Sequence, residues 1–281
     1  MHVSLQELVA YYEGKTQAIL QRYGPGPRVH YHTGFVDEPQ PLNASTHVLR
    51  QRLVAAQERM LHYASEVWNA QTTLCGEVLD VGCGLGGGSL FWAQEFDAQV
   101  TAVTIAPSHV DWVTRFAAQA GVASRVQPLV CNALEVPGNN CFDAAVAVDT
   151  SSSLPRAEWF RRLAALLRPG GRVFITDCFL ERSEYEEPFN RHWYACIGAI
   201  DEYVTAARDA GLRTESVNDI SRHTEHFWEM TVALMQAEAQ GKKLTLSEES
   251  KFTETLQAHA LVRQGLADGG YRYALMSFCK N

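Results

Sequence analysis

The chain has 281 residues, 46% hydrophobic and 20% charged, enough apolar material for one large α/β domain with insertions or a domain plus a small cap. A net charge of −8 argues against nucleic acid as a main partner, and no apolar run approaches the ~20 residues a membrane span needs. Met1-His2-Val3-Ser4-Leu5 carries no basic region leading into an apolar stretch, so a cytoplasmic location without membrane insertion is expected. The seven cysteines lack C-x-x-C spacing and read as buried free thiols rather than zinc ligands, so no metal site of the protein's own is expected.

Ser4 stands three residues before Glu7, a capping box, and the apolar stripe Leu5, Leu8, Val9, Tyr12, Ala18, Ile19 predicts a helix to Tyr23. Gly24-Pro25-Gly26-Pro27 ends it. This helix, set before a Gly-Pro hinge, is expected to dock on a neighbouring subunit of a homo-oligomer. Val29-His30-Tyr31-His32-Thr33-Gly34-Phe35 is rich in His and Tyr for a loop. It reads as a lid over an active site, with a solvated surface loop as the plainer alternative. Val48, Leu49, Leu53, Ala56, Met60, Leu61 and Ala64 keep helical spacing and predict a second helix from Asn43 or Ser45 to about Trp68. Residues 1–70 are therefore taken as an N-terminal helical lid, and 71–281 as the core.

From Glu77 the pattern alternates. Apolar runs at 77–81, 100–105, 126–130, 142–149 and 172–177 predict strands, with helices resuming at Leu90, after Ala106-Pro107-Ser108 and over 156–167. This rhythm predicts a doubly wound, Rossmann-like parallel sheet with right-handed crossovers. Beyond Asp177 it breaks. A mostly helical insertion, about 181–265, carries Tyr185, Phe189, His192, Trp193 and Tyr194, and Tyr271–Phe278 alternates as a final strand.

Ligands of such sheets collect outside the strands' carboxyl ends. The first of these is Asp80-Val81-Gly82-Cys83-Gly84-Leu85-Gly86-Gly87-Gly88, where glycines permit φ > 0 and the next helix presents free N–H groups. The glycine spacing lacks the third position of a dinucleotide fingerprint. L-D-V-G-C-G resembles motif I of the class I S-adenosylmethionine (SAM) methyltransferases. The resemblance implies that Asp80, Gly82, Cys83 and Gly84 hold the methionine part of SAM. At the second strand end Thr104 and Ile105 replace the usual ribose-gripping acid, so a ribose contact is expected to be weaker or to come from His109. Asn132, with Ala133 and Leu134, stands where many methyltransferases place an acid facing adenine, and an Asn carbonyl can accept that bond too. At the fourth, Val148 leads into Asp149, followed by the polar mouth Thr150-Ser151-Ser152-Ser153. Asp149 reads either as a turn-forming residue or as a carboxylate at the cofactor's reactive end.

Further segments are similar to the bacterial isoprenoid C-methyltransferases, which act on prenyl diphosphates such as geranyl diphosphate or on the prenyl side chain of an indole alkaloid. The carrying stretches are His30-Tyr31-His32-Thr33-Gly34, Val103-Thr104-Ile105, Cys131-Asn132-Ala133-Leu134, Arg168-Pro169-Gly170-Gly171-Arg172 through Phe179, His192 with Cys196-Ile197, Tyr203, Phe227-Trp228-Glu229, and Asp268 to Leu275. Three positions depart from the family. Its catalytic Glu, in an N-E-S-T stretch, is Asp149 here. Its Tyr before the lid glycine and an Arg, both suited to a diphosphate, are Thr33 and Ala267.

The resemblance implies SAM-dependent C-methylation of an isoprenoid C=C bond through a carbocation, with Asp149, His32 and Tyr31 as catalytic residues. It also implies a substrate wall of His30, Phe179, His192, Trp193, Tyr194, Trp228 and Tyr271. A diphosphate would call for Mg²⁺ or for partners among Arg28, His30, Arg191 and Arg222. Two alternatives stay open: an O- or N-methyltransferase of a small natural product, with His32 or His192 as base, and a non-catalytic SAM- or nucleotide-binding module.

Overall fold

The computed structural model describes residues 4–240, 243 and 245–281. Helix α1 (Leu5–Tyr23) opens on the capping box: Ser4 Oγ accepts the Glu7 N–H at 3.2 Å, and the Glu7 carboxylate accepts the Ser4 N–H at 2.8 Å. The lid loop leads into α2 (Thr46–Val67), capped by Ser45, and a short α3 (Ala70–Thr73). The βα units follow: β1 (Glu77–Val81), α4 (Gly87–Glu95), β2 (Gln99–Thr104), α5 (Pro107–Gln119), β3 (Val126–Val130), β4 (Phe142–Val148), α6 (Arg156–Leu166) and β5 (Leu167–Leu180). The chain ends with α7 (Glu186–Trp193), α8 (Ile200–Asp209), β6 (Leu212–Asp219), α9 (Ser221–Ala239), α10 (Leu246–Asp268) and β7 (Tyr271–Lys280).

The strands form one sheet in the order β3-β2-β1-β4-β5-β7-β6, parallel except for β7, which runs antiparallel between β5 and β6. The order reverses beside β1, so the switch point lies between β1 and β4, where the glycine turn and Asp149 emerge. Two buried clusters cover the two faces. Leu53, Met60, Phe91, Trp92, Phe227 and Leu234 belong to one, and Trp159, Phe160, Leu163 and Tyr203 to the other.

The structure departs from the sequence pattern in two places. Strand β6 falls inside the stretch read as a helical insertion over 181–265, dividing it in two. It is an edge strand whose alternate residues face water, so it carries little apolar signal. Strand β7 is buried at eight of ten positions, because helices cover both its faces, and the half-exposed alternation expected of it is absent. Helix α1 packs on α2 and α5 of its own chain. Among the described residues no helix is long and apolar enough to cross a membrane. Of the cysteines, Cys178 and Cys279 are buried as free thiols, whereas Cys75 and Cys196 are exposed.

Candidate active site

A cavity of about 460 Å³ opens at the carboxyl ends of β1, β2, β4 and β5, roofed by α1 and the lid. Its floor is the turn after β1. Gly82 has φ +73°, and a Cβ there would lie 2.3 Å from Thr150 Oγ1, so glycine is required on both counts. At Gly87, the first residue of α4, a Cβ would meet the Val29 carbonyl at 2.5 Å and His30 Nδ1 at 2.6 Å. The lid thus rests directly on the start of that helix. Asp80 is 4% exposed and accepts the Ser89 hydroxyl at 2.5 Å. Burial raises its pKa to about 6, against the pull of Ser89. A buried carboxylate beside bare backbone and a helix N-terminus suits a ligand that carries an ammonium and a carboxylate together, which is the amino-acid end of SAM.

Asp80, Gly82, Cys83, Gly84, Thr104, Ile105, His109, Asn132, Ala133, Leu134 and Val148 all line this cavity. Two are less free than their positions suggest. His109 Nε2 bonds Thr16 Oγ1 at 3.1 Å and Nδ1 bonds Thr104 Oγ1 at 3.4 Å, so neither ring nitrogen is open to a ribose. Burial lowers the His109 pKa accordingly. The Asn132 carbonyl oxygen accepts the Leu134 N–H at 3.0 Å and keeps one lone pair for a ligand.

Asp149 closes the opposite wall, half-buried, in the left-handed region at φ +48°. Its Oδ1 accepts the Tyr273 hydroxyl at 2.6 Å and its Oδ2 the Thr33 N–H at 2.6 Å. Burial raises its pKa, while those two donors oppose the rise. The lid is therefore tied to this carboxylate by its own backbone. His32 donates from Nδ1 to the Thr33 carbonyl at 2.9 Å, leaving Nε2 as a buried, unpartnered acceptor. Burial, then His30, lowers its pKa to about 3. His30 meets Glu58 at 2.7 Å, and Tyr31, 39% exposed, lines the cavity beside Tyr23.

The apolar part of the wall comes from Trp193, Trp228, Phe189, Phe227 and the α1 side chains Leu8, Tyr12 and Ile19. The rings of Trp193 and Trp228 lie 6.1 Å apart, edge to face. Four residues expected here are elsewhere. Phe179 points to the opposite face of the sheet, onto Tyr203 at 4.9 Å, and with Val173 and Ile175 of β5 it packs among residues of α6 and α8. Tyr271 is buried and donates to the Tyr185 carbonyl at 2.7 Å. Tyr194 is 38% exposed and packs on Tyr11 at 4.8 Å. His192 stands behind Trp193, ring centroids 4.6 Å apart, where burial lowers its pKa to about 4.

Nor do the arginines expected to meet a diphosphate face the cavity. Arg28 is held by Glu58, Glu95 and Gln94, Arg191 by Glu187, and Arg222 is outside the lining. Among the described lining residues none is Lys or Arg, and among the described residues no group of three His, Cys, Asp or Glu is set to hold a metal ion. The residues sequence reasoning missed are Tyr273, Gln57, the α1 face and Asp177. The sequence pattern places Tyr273 only within the final strand, and nothing local links it to Asp149.

A methyltransferase-domain family model matches residues 78–171. The chain is 30% identical over 195 residues to 27-O-demethylrifamycin SV methyltransferase of Amycolatopsis mediterranei, covering 63% of this chain and 72% of that protein. It is 25% identical over 284 residues to geranyl diphosphate 2-C-methyltransferase of Streptomyces lasalocidi, covering 97% and 89%. It spans 62% of the length of another relative, the chloroplastic tocopherol O-methyltransferase of Arabidopsis thaliana, with 25% identity. The crystal structure of geranyl diphosphate C-methyltransferase from Streptomyces coelicolor, in complex with Mg²⁺, geranyl-S-thiolodiphosphate and S-adenosyl-L-homocysteine, superposes with a TM-score of 0.80 at 19% identity, over 99% of this chain and 98% of that one. With its glycine turn, buried acid and sheet order, this chain belongs to the class I S-adenosylmethionine-dependent methyltransferases.

Proposed function

We propose that this methyltransferase adds a methyl group to a C=C bond of an isoprenoid chain in secondary metabolism. The acceptor would be a prenyl diphosphate or the prenyl side chain of a natural product. The observation that carries the reading is Asp149, an oriented carboxylate facing a cavity walled by Trp193, Trp228 and Phe189. The near full-length likeness to a geranyl diphosphate 2-C-methyltransferase supports it.

When bound, the cofactor supplies an electrophilic methyl on a positively charged sulfur. Asp80 and the glycine backbone would hold its amino-acid end, with Thr104, Ile105 and Asn132 to Leu134 along the rest. An alkene is a weak nucleophile, so the chain's task is to align it and exclude water. Helix α1 and the lid close that side of the cavity. The carbocation left on the acceptor meets the ring faces of Trp193, Trp228 and Tyr31, each worth ~0.5–2 kcal/mol. Asp149 steadies the cation, or takes the proton from the adjacent carbon as the C–H electrons form a new double bond.

A diphosphate head would bring three negative charges toward a lining with no Lys or Arg among its described residues. Mg²⁺ carried by the diphosphate oxygens, with His30 nearby, is how the chain would accept it. A neutral prenyl side chain needs no such help. A second reading, O- or N-methylation of a small natural product, is favoured by the open Nε2 of His32, a neutral acceptor placed as a general base would be. Incubation with methyl-¹³C SAM and isopentenyl, geranyl and farnesyl diphosphates beside a neutral prenylated alkaloid separates the two. A label found only on oxygen or nitrogen overturns the C-methylation reading.

A further inference from the structure

Asp177 is 2% exposed, yet it lines the same cavity as Asp149. The two carboxylates leave the sheet side by side. Val148 of β4 pairs in register with Thr176 of β5, each acid follows one residue on, and the Asp149 N–H donates to the Thr176 carbonyl at 2.9 Å. Neighbouring strands lie ~4.8 Å apart, so both carboxylates share one poorly solvated corner.

Every described hydrogen-bond partner of the two is a neutral donor. Asp177 Oδ2 accepts the Ser151 hydroxyl at 2.6 Å and the Ser152 N–H at 2.9 Å, while Oδ1 accepts the Cys178 N–H at 2.8 Å. Asp149 has Tyr273 and Thr33. The titratable groups around the pair are Tyr12 on α1, Tyr31 on the lid, Tyr203 on α8, Tyr273 on β7 and Cys178 on β5. All are neutral at physiological pH, and burial pushes each of them further up. Two like charges in such a corner repel with little to screen them. Burial and then Asp149 raise the Asp177 pKa to about 7.

We propose that Asp149 and Asp177 form a carboxylate pair holding one proton between them, with Asp177 the positioning residue that sets the charge of Asp149. The pairing stands on the structure alone, and only its use rests on the C-methylation reading. In that use the acceptor C–H bond breaks, its electrons form the C=C bond, and the proton passes to the Asp149 carboxylate. The pair then carries two protons and returns one to water as product leaves.

The test is a ¹³C-carboxyl NMR titration of the intact protein without acceptor, comparing wild type with Asp149→Asn and Asp177→Asn. Beside that of Asp80, one carboxyl of the wild type is expected to titrate near neutrality, and its loss or shift in the two variants assigns it to the pair. The carboxyl that remains in either variant should titrate lower by about one pH unit or more, because its like-charged neighbour is gone. Unmoved midpoints, or two carboxyls in the ordinary range, overturn the pair. If Asp177→Asn does not fold, Asp149→Asn gives the same comparison through Asp177. In turnover, the inflection of kcat near neutral pH should vanish in Asp177→Asn and persist in Asp177→Glu. A uniform loss of kcat in Asp177→Asn with the inflection in place makes Asp177 merely structural and also overturns the proposal. The titration needs no acceptor, so absent prenyl turnover would count against the C-methylation reading alone.

Discussion

The Tyr273 hydroxyl reaches from β7 past the intervening β5 to donate to Asp149 Oδ1 at 2.6 Å, joining a residue near the C-terminus to the end of β4. Asp149 itself sits at φ +48°, a region a non-glycine residue enters only when its surroundings hold it there. Tyr273, the Thr33 N–H and the Thr176 carbonyl are those surroundings.

Removing the carboxylate should therefore do more than removing its support. Asp149→Asn is expected to lower kcat by roughly 10²–10⁴-fold, the usual contribution of a positioned base. Tyr273→Phe deletes one hydrogen bond to a charged group, ~1.5–3 kcal/mol, and should lower kcat roughly 10–100-fold. KM for SAM should stay put in both, since neither residue belongs to the glycine turn. Steady-state methyl incorporation at varied SAM checks this, and equal losses in the two variants would contradict it.

Asp80 should trade stability for binding. Its folded pKa, raised to about 6 from 3.8, means that the folded protein binds the extra proton between those values. The contribution to stability is fully present below pH ~4 and is lost as pH rises through ~6. Above pH 6 the buried charge costs about 3 kcal/mol. Asp80→Asn keeps an acceptor for Ser89 and should raise the Tm of the cofactor-free protein at pH 7.5, with little change at pH 4. SAM affinity should fall, roughly 10-fold or more, with loss of the charge opposite its ammonium. Calorimetry at the two pH values checks the first claim and titration calorimetry with SAM the second.

Metal removal should separate the two classes of acceptor. With no Lys or Arg among the described lining residues, turnover of a prenyl diphosphate is expected to need Mg²⁺ and to fall at least tenfold with EDTA. Turnover of a neutral prenylated acceptor should be indifferent to both. Diphosphate turnover that persists in EDTA would mean that protein cations outside the present lining reach the head group.

Local chemistry was legible where one short stretch suffices. The Ser4–Glu7 capping box, the start of α5 at Pro107, strand β3 and the turn at Gly82 all follow from residues within a few positions of each other. One edge of the cavity was legible for the same reason, since successive βα units deliver Asp80, Thr104, Asn132 and Val148 to it. Strand β6 was not, because an edge strand pairs through its backbone and asks little of its side chains. Phe179, Tyr194 and Tyr271 carry the right chemistry for the substrate wall, but orientation about a strand or a helix end takes them away from it.

By itself the amino-acid sequence determined the alternation of strands and helices, the glycine turn with its acid, and the carboxylate at the end of β4. Each depends on periodicity or on backbone freedom, which neighbouring residues dictate. Only the tertiary structure decided that α1 roofs its own chain's cavity, that Thr33 and Tyr273 grip Asp149 from both sides, and that Asp177 lies beside it. The grip on Asp149 joins residues up to 124 positions apart, and burial rather than chain proximity sets the protonation of the pair.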